Sequence, residues 1–160
     1  MLNPRGELSV RCAEGENVVA VYGPVVLFHL ARRVNELETA CLGEVVSEGL
    51  RSSSPWGMLL VFARSELNGG IDPKARQIFE RLVRQDEAVL ERSALVVTAE
   101  GFPGSVIRSI VAGLLQIAGK RTQLKVFSTV SEGCELVARA HRLDALDLER
   151  AYNEALAARS

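Results

Sequence analysis

The chain has 160 residues, of which 48% are hydrophobic and 24% charged, and its formal net charge is −1. That size and balance suit one domain with a buried core. They give no net basic field of the kind that holds nucleic acid, and no apolar run reaches the roughly 18 to 20 residues needed to cross a bilayer.

The opening residues, MLNPRGELSV, lack the apolar centre of a signal peptide, so a cytoplasmic location is expected. Cys12, Cys41 and Cys134 are odd in number and widely spaced. They form no CxxC and no metal-ligand ladder. They are expected to be reduced and mostly buried, as small hydrophobes.

Leu8 to Ala13 and Val18 to Tyr22 are short β-like runs separated by Glu14-Gly15-Glu16-Asn17, which reads as an opening hairpin. Gly23-Pro24 then stops the strand, and proline suits a first helical turn. A helix is expected from about Pro24 to Leu42, because Leu27, Leu30, Val34, Leu37 and Cys41 recur at helical spacing. His29, Arg32, Arg33 and Glu36 fall off that stripe, and Gly43 offers a stop. Glu44 to Gly57 is the least regular stretch and is read as a tolerated insertion. Val45, Val46 and Leu50 carry a weak helical pattern, Ser52-Ser53-Ser54-Pro55 reads as an exposed loop, and Trp56 closes the segment.

Met58 to Ala63 is a continuous apolar strand. Asn68-Gly69-Gly70 ends that segment, and Asp72-Pro73 opens a second helix, with Asp72 as N-cap. Its apolar stripe is Ala75, Ile78, Phe79, Leu82 and Val83. Ala94 to Thr98 is the next strand. A very apolar helix is expected over 103–118, with Val106, Ile107, Ile110, Val111, Leu114, Leu115 and Ile117 covering more than half its circumference. Leu124 to Phe127 is the last strand. Ser131 is read as the cap of a helix from about Glu132 to Arg142. A final amphipathic helix runs from about Leu146 to Ala158, with Asp144, Asp147 and Glu149 at its start.

The expected order is therefore β-β-α-β-α-β-α-β-α-α. A hairpin followed by β-α crossovers predicts an α/β fold with a mixed, mostly parallel sheet and flanking helices. Residues 1–160 read as one domain, with a core of about 8–143 and a C-terminal helix over 144–160.

ALVVTAEGFPGSVIRSIVAGLLQIAG, LKVFSTV and SEGCELVARA set out a strand ending in small residues, a proline-opened apolar helix, a short aromatic-containing strand and an acidic helix start. This order, over about Leu8 to Leu143, resembles the STAS domain, the bacterial anti-sigma-factor-antagonist fold, and within it small STAS-like proteins. The resemblance implies a non-enzymatic regulatory or protein-interaction module in bacterial signalling, with a protein partner. STAS antagonists that act as phosphorylation switches carry Asp-Ser-Ser or Asp-Ser-Thr after the central strand. Here MLLVFARSEL is followed by NGGIDP, so Gly69 and Gly70 stand near the phosphoacceptor position without a hydroxyl.

Two helix-opening loops are the candidate interaction or anion-binding surface: Asn68, Gly69, Gly70 and Asp72 in one, Gly104, Ser105 and Arg108 in the other. Backbone N–H groups at a helix start can hold an anion, and in a parallel sheet both loops fall at the carboxyl ends of strands, where ligands bind. The spacing matches neither the Walker sequence nor GxGxxG. His29 has no Cys, His or carboxylate at i+3 or i+4, and His141 has only Asp144 at i+3, beyond the expected helix end at Arg142; both are read as surface residues. No GxSxG elbow is present. No catalytic residue, cofactor or metal site is assigned. The alternative function is a small-molecule or lipid binder using the apolar helix over 103–118, and burial of that helix between copies of a homo-oligomer is compatible with the interaction reading.

Overall fold

A computed structural model describes residues 6–63, 73–98 and 125–160. The strands are β1 (Leu8–Cys12), β2 (Val18–Tyr22), β3 (Val25–Leu30), β4 (Gly57–Phe62), β5 (Ala94–Val97) and β6 (Lys125–Phe127). The helices are α1 (Glu36–Arg51), α2 (Pro73–Gln85), α3 (Val130–His141) and α4 (Ala145–Ala157), with a 3-10 helix over Glu87–Arg92. The strands form one sheet in the order β1-β2-β3-β4-β5-β6. The β1–β2 and β2–β3 pairs are antiparallel, and the β3–β4, β4–β5 and β5–β6 pairs are parallel. The expected mixed, mostly parallel α/β sheet with an N-terminal hairpin is thus the observed fold.

The central strands are buried on both faces, and their side chains alternate between two cores. Val19, Val21, Val26, Phe28, Leu30, Met58, Leu60, Phe62 and Leu95 face one core, which α1, α2 and the 3-10 helix cover. Val18, Ala20, Val25, Leu27, Leu59, Val61, Ala94 and Val96 face the other, covered by α3 and α4.

That alternation corrects the expected first helix. Leu27 and Leu30 point to opposite faces of β3 and do not share a helical stripe. Gly23 and Pro24 form a two-residue turn closing Tyr22 against Val25. Gly23 takes φ 57, a conformation that costs glycine little, so the pair turns the chain back where a helix start was expected. A short run buried on both faces carries no period-2 polar alternation, and periodicity alone cannot separate it from a buried helix.

The helix begins instead at Glu36 and runs to Arg51. The stretch Glu44 to Gly57 is therefore not an insertion. Its first half is the end of α1, whose buried stripe is Glu38, Leu42, Val45, Val46 and Gly49. Gly43 lies inside this helix and does not end it, and Leu37, expected in the core, is exposed. Trp56 is buried. It lies so close under α1 that a Cβ on Gly49 would fall 2.5 Å from its ring. The helix expected from Glu132 starts slightly earlier, with Thr129 and not Ser131 as the cap, its side chain accepting from the Glu132 N–H. Asp144 caps α4, accepting from the Leu146 and Asp147 N–H groups, in keeping with the acidic start of that segment. The helix expected over 103–118 lies outside the described residues.

The amino end of β4 is packed against backbone. A Cβ on Gly57 would fall 2.2 Å from the Arg92 carbonyl oxygen and 2.6 Å from His141 Nε2. Backbone cannot step aside as a flexible side chain can. Gly57→Ala is therefore expected to destabilise the protein by about 3 kcal/mol through overpacking. The urea midpoint reads this directly, and a wild-type midpoint would show that β4 is not pinned there.

Candidate functional site

The carboxyl ends of three strands lie side by side. The Ala63 N–H donates to the Leu30 carbonyl at 2.9 Å, and the Thr98 N–H donates to the Phe62 carbonyl at 3.1 Å. The ends of β3, β4 and β5 therefore form one edge, the place where parallel sheets bind ligands. The chain continues from Ala63 and from Thr98 into the stretches that carry the candidate surface. Asn68, Gly69, Gly70, Asp72, Gly104, Ser105 and Arg108 all lie outside the described residues.

Beneath this edge sits a polar cluster that the sequence reading missed. Asn17 precedes β2 and so lies opposite the end of β3, since Val18 pairs with His29. Its Oδ1 accepts from the Ala31 N–H at 2.8 Å and the Arg32 N–H at 3.1 Å. Its Nδ2 donates to the Arg32 carbonyl at 3.2 Å and to Glu38 Oε2 at 3.0 Å. Glu38 Oε2 also accepts from the Asn35 N–H at 2.9 Å, and Oε1 accepts from Arg32 Nη2 at 2.7 Å. The Glu38 side chain is 1% exposed, whereas that of Arg32 is 33% exposed. A buried charge is tolerated only when paired and hydrogen-bonded, and Glu38 meets both conditions. Its lone pairs are committed to structural partners, so the cluster serves as a fixed support.

A sequence signal for this cluster exists. Asn35-x-x-Glu38 is a capping box: Asn35 Oδ1 accepts from the Glu38 N–H at 2.8 Å while the Glu38 side chain returns to the Asn35 N–H. The expected helix from Pro24 ran through it and hid it.

Both histidines differ from the expected surface placement. His29 is 7% exposed and its Nδ1 lies 2.6 Å from the Tyr152 hydroxyl on α4. Burial, aided by the nearby Arg159 guanidinium and opposed by Glu16, pushes its pKa down to about 4. Burial likewise raises the Tyr152 hydroxyl above its ordinary value. His141, at the end of α3, has Nε2 buried with no hydrogen-bond partner among the described residues, and burial lowers its pKa from the ordinary histidine value. Among the described residues, no group of three or more His, Cys, Asp or Glu is placed to hold a metal ion. None of the described helices is long and apolar enough to cross a membrane.

The thiols follow the expectation in part. Cys12 and Cys134 are buried and Cys41 half-buried, and all three are free.

No family model, curated protein or solved structure matches this chain.

Two predictions follow from the geometry. Asn17→Ala removes four contacts and leaves buried backbone N–H groups without an acceptor, so it is expected to cost about 2 to 3 kcal/mol, read by urea denaturation. His29 is held neutral in the fold, with a pKa below that of the unfolded chain. Its contribution is fully present above pH 6.5 and is lost as pH falls from 6.5 towards about 4. The total is about 3 kcal/mol for a shift of this size. Stability measured over that window should fall in the wild type and fall much less in His29→Gln. Equal slopes in the two proteins would refute the assignment.

Proposed function

We propose that the protein is a non-enzymatic interaction module of STAS type, acting in bacterial signalling in the cytoplasm. The observation that carries this reading is the carboxyl edge, where the Leu30–Ala63 and Phe62–Thr98 hydrogen bonds set the ends of β3, β4 and β5 together. The stretches carrying Asn68–Asp72 and Gly104–Arg108 leave from two of these neighbouring strands. The Asn17–Arg32–Glu38 cluster fixes the adjoining end of β3, which gives such a surface a rigid base. The α/β fold with an opening hairpin is in keeping with the resemblance of the sequence to STAS domains. With Gly69 and Gly70 near the usual phosphoacceptor position, the module works by surface complementarity to a protein partner, without phosphorylation at that place.

The test compares the tagged full chain with the double variant Asp72→Lys/Arg108→Glu, captured from bacterial lysate, with mass spectrometry of retained proteins and small molecules. A kinase-like ATPase, a sensor or a sigma-factor regulator should be retained by the wild type. The variant should retain it about tenfold less per folded molecule, with the thermal midpoint lowered only by the few degrees that loss of the expected Asp72 cap costs. Equal retention by both proteins would place the surface elsewhere. Recovery of the chain alone with a stoichiometric small molecule would replace this reading with that of a ligand binder.

A further inference from the structure

The core beneath α3 and α4 is covered in two parts. α3 lies mainly over β4, β5 and β6, and α4 mainly over β1 and β2. The buried residues of α4 are Leu148, Ala151, Tyr152 and Ala155, two of them alanine. An element that places so little apolar surface in the core sits at the low end of local stability. Every strand precedes it in the chain, so its departure breaks no strand pairing. It joins α3 through a short link that begins at Arg142, the left-handed cap with φ 57.

Two fastenings hold α4 to the hairpin. One is at the surface. Strand β1 ends in a β-bulge: Val10 pairs with Ala20 and Cys12 with Val19, so Arg11 is the extra residue. Just beyond the bulge, the Ser160 N–H donates to the Ala13 carbonyl and the Gly15 N–H donates to the Ser160 carbonyl, both at 3.2 Å. Water can replace these two bonds at little cost. The other fastening is internal, the 2.6 Å contact between His29 Nδ1 and the Tyr152 hydroxyl. His29 pairs with Val18 on β2 and Val61 on β4, so it shares their face of the sheet, the one that α3 and α4 cover.

We propose that α4 is an acid-released latch: protonation of His29 frees it from the hairpin while the six-stranded sheet stays paired, uncovering the apolar face formed by Val18 and Ala20 of β2 and Leu27 of β3. The proton would place a full charge in a site that water does not reach, and a buried charge is tolerated only when paired. The neighbouring strands offer no partner, because β2 and β4 present Val18 and Val61 beside the ring. From α4 comes the Tyr152 hydroxyl, and the Arg159 guanidinium just past that helix opposes the charge. Glu16, in the turn before β2, favours the charge without outweighing burial. α3 adds the Cys134 thiol to the same core, and burial keeps it neutral. Once α4 has left, the ring is hydrated and regains its ordinary proton affinity, so acid favours the open form. The closed form therefore holds above pH 6.5, and its advantage falls about a hundredfold as pH drops from 6.5 to about 4.

The test is hydrogen exchange of the full chain between pH 7 and 4, read by mass spectrometry and corrected for the intrinsic exchange rate at each pH. Peptides of α4 should be less protected than those of β3 and β4 at every pH. Their protection should fall about a hundredfold over this range and recover on return to pH 7, while the sheet is still protected at pH 4. In His29→Gln the protection of α4 should stay nearly constant. Equal protection of α4 and the sheet at every pH, a constant protection of α4 in the wild type, or an undiminished pH dependence in His29→Gln would each overturn the proposal. The wild-type exchange map decides this even if the variant fails to fold.

Discussion

The fold hangs on one buried carboxylate. Glu38 sits in the first turn of α1, where the helix dipole favours negative charge. Arg32, Asn17 and Asn35 supply the donors that make its burial tolerable. Each donor belongs to a different feature: the chain leaving β3, the chain entering β2, and the cap of α1. One side chain therefore sets the end of the hairpin, the exit of the first parallel strand and the start of the first crossover helix. Arg32 also arches over the β1–β2 turn, where a Cβ on Gly15 would fall 3.0 Å from its Nη2. Gly15 takes φ 90 there, a conformation few other residues adopt.

The two-cored sheet explains the other close contacts. A strand buried on both sides leaves no solvated face for polar residues, so the exceptions must be satisfied within the protein. His29 is such an exception on β3, and Tyr152 meets it from α4. Ser93 is another. Its hydroxyl donates to the Val89 carbonyl at 2.6 Å and accepts from the Met58 N–H at 2.9 Å, joining the 3-10 helix to β4. Glycines appear where a helix meets the sheet most closely. A Cβ on Gly133 of α3 would fall 2.5 Å from Val96 and 3.0 Å from Leu59.

The sequence was most legible where pattern and punctuation agreed. The hairpin β1–β2, the apolar β4 and β5, the start of α2 at Pro73 and the acidic cap of α4 could all be read from the residues. It was least legible over Pro24 to Gly57. Val25 to Leu30 is apolar at every position but His29, so spacing alone admitted a helix, and that choice displaced the start of α1 from its capping box. The error then spread to His29, which looked like a solvated helix residue and is a core residue of a strand. The polar cluster was hidden for a related reason. Asn17 looked like a turn residue and Glu38 drew no reading at all, and only the pairing of β2 with β3 brings them together. The candidate loops were chosen by their place after strands. Their starting points, Ala63 and Thr98, do share the carboxyl edge, while the named residues themselves lie outside the described part of the chain.

The bulge in β1 also bears on how the sheet ends. Among the described residues the outer edge of β1 pairs with no other strand, and an open edge is a template on which a second chain can add a strand and begin to aggregate. The extra residue at Arg11 breaks the even spacing of backbone donors and acceptors along that edge. A guanidinium at the same place adds a charge that an incoming apolar strand would have to desolvate. The irregularity at Arg11 thereby makes this edge a poor seed for intermolecular β-structure.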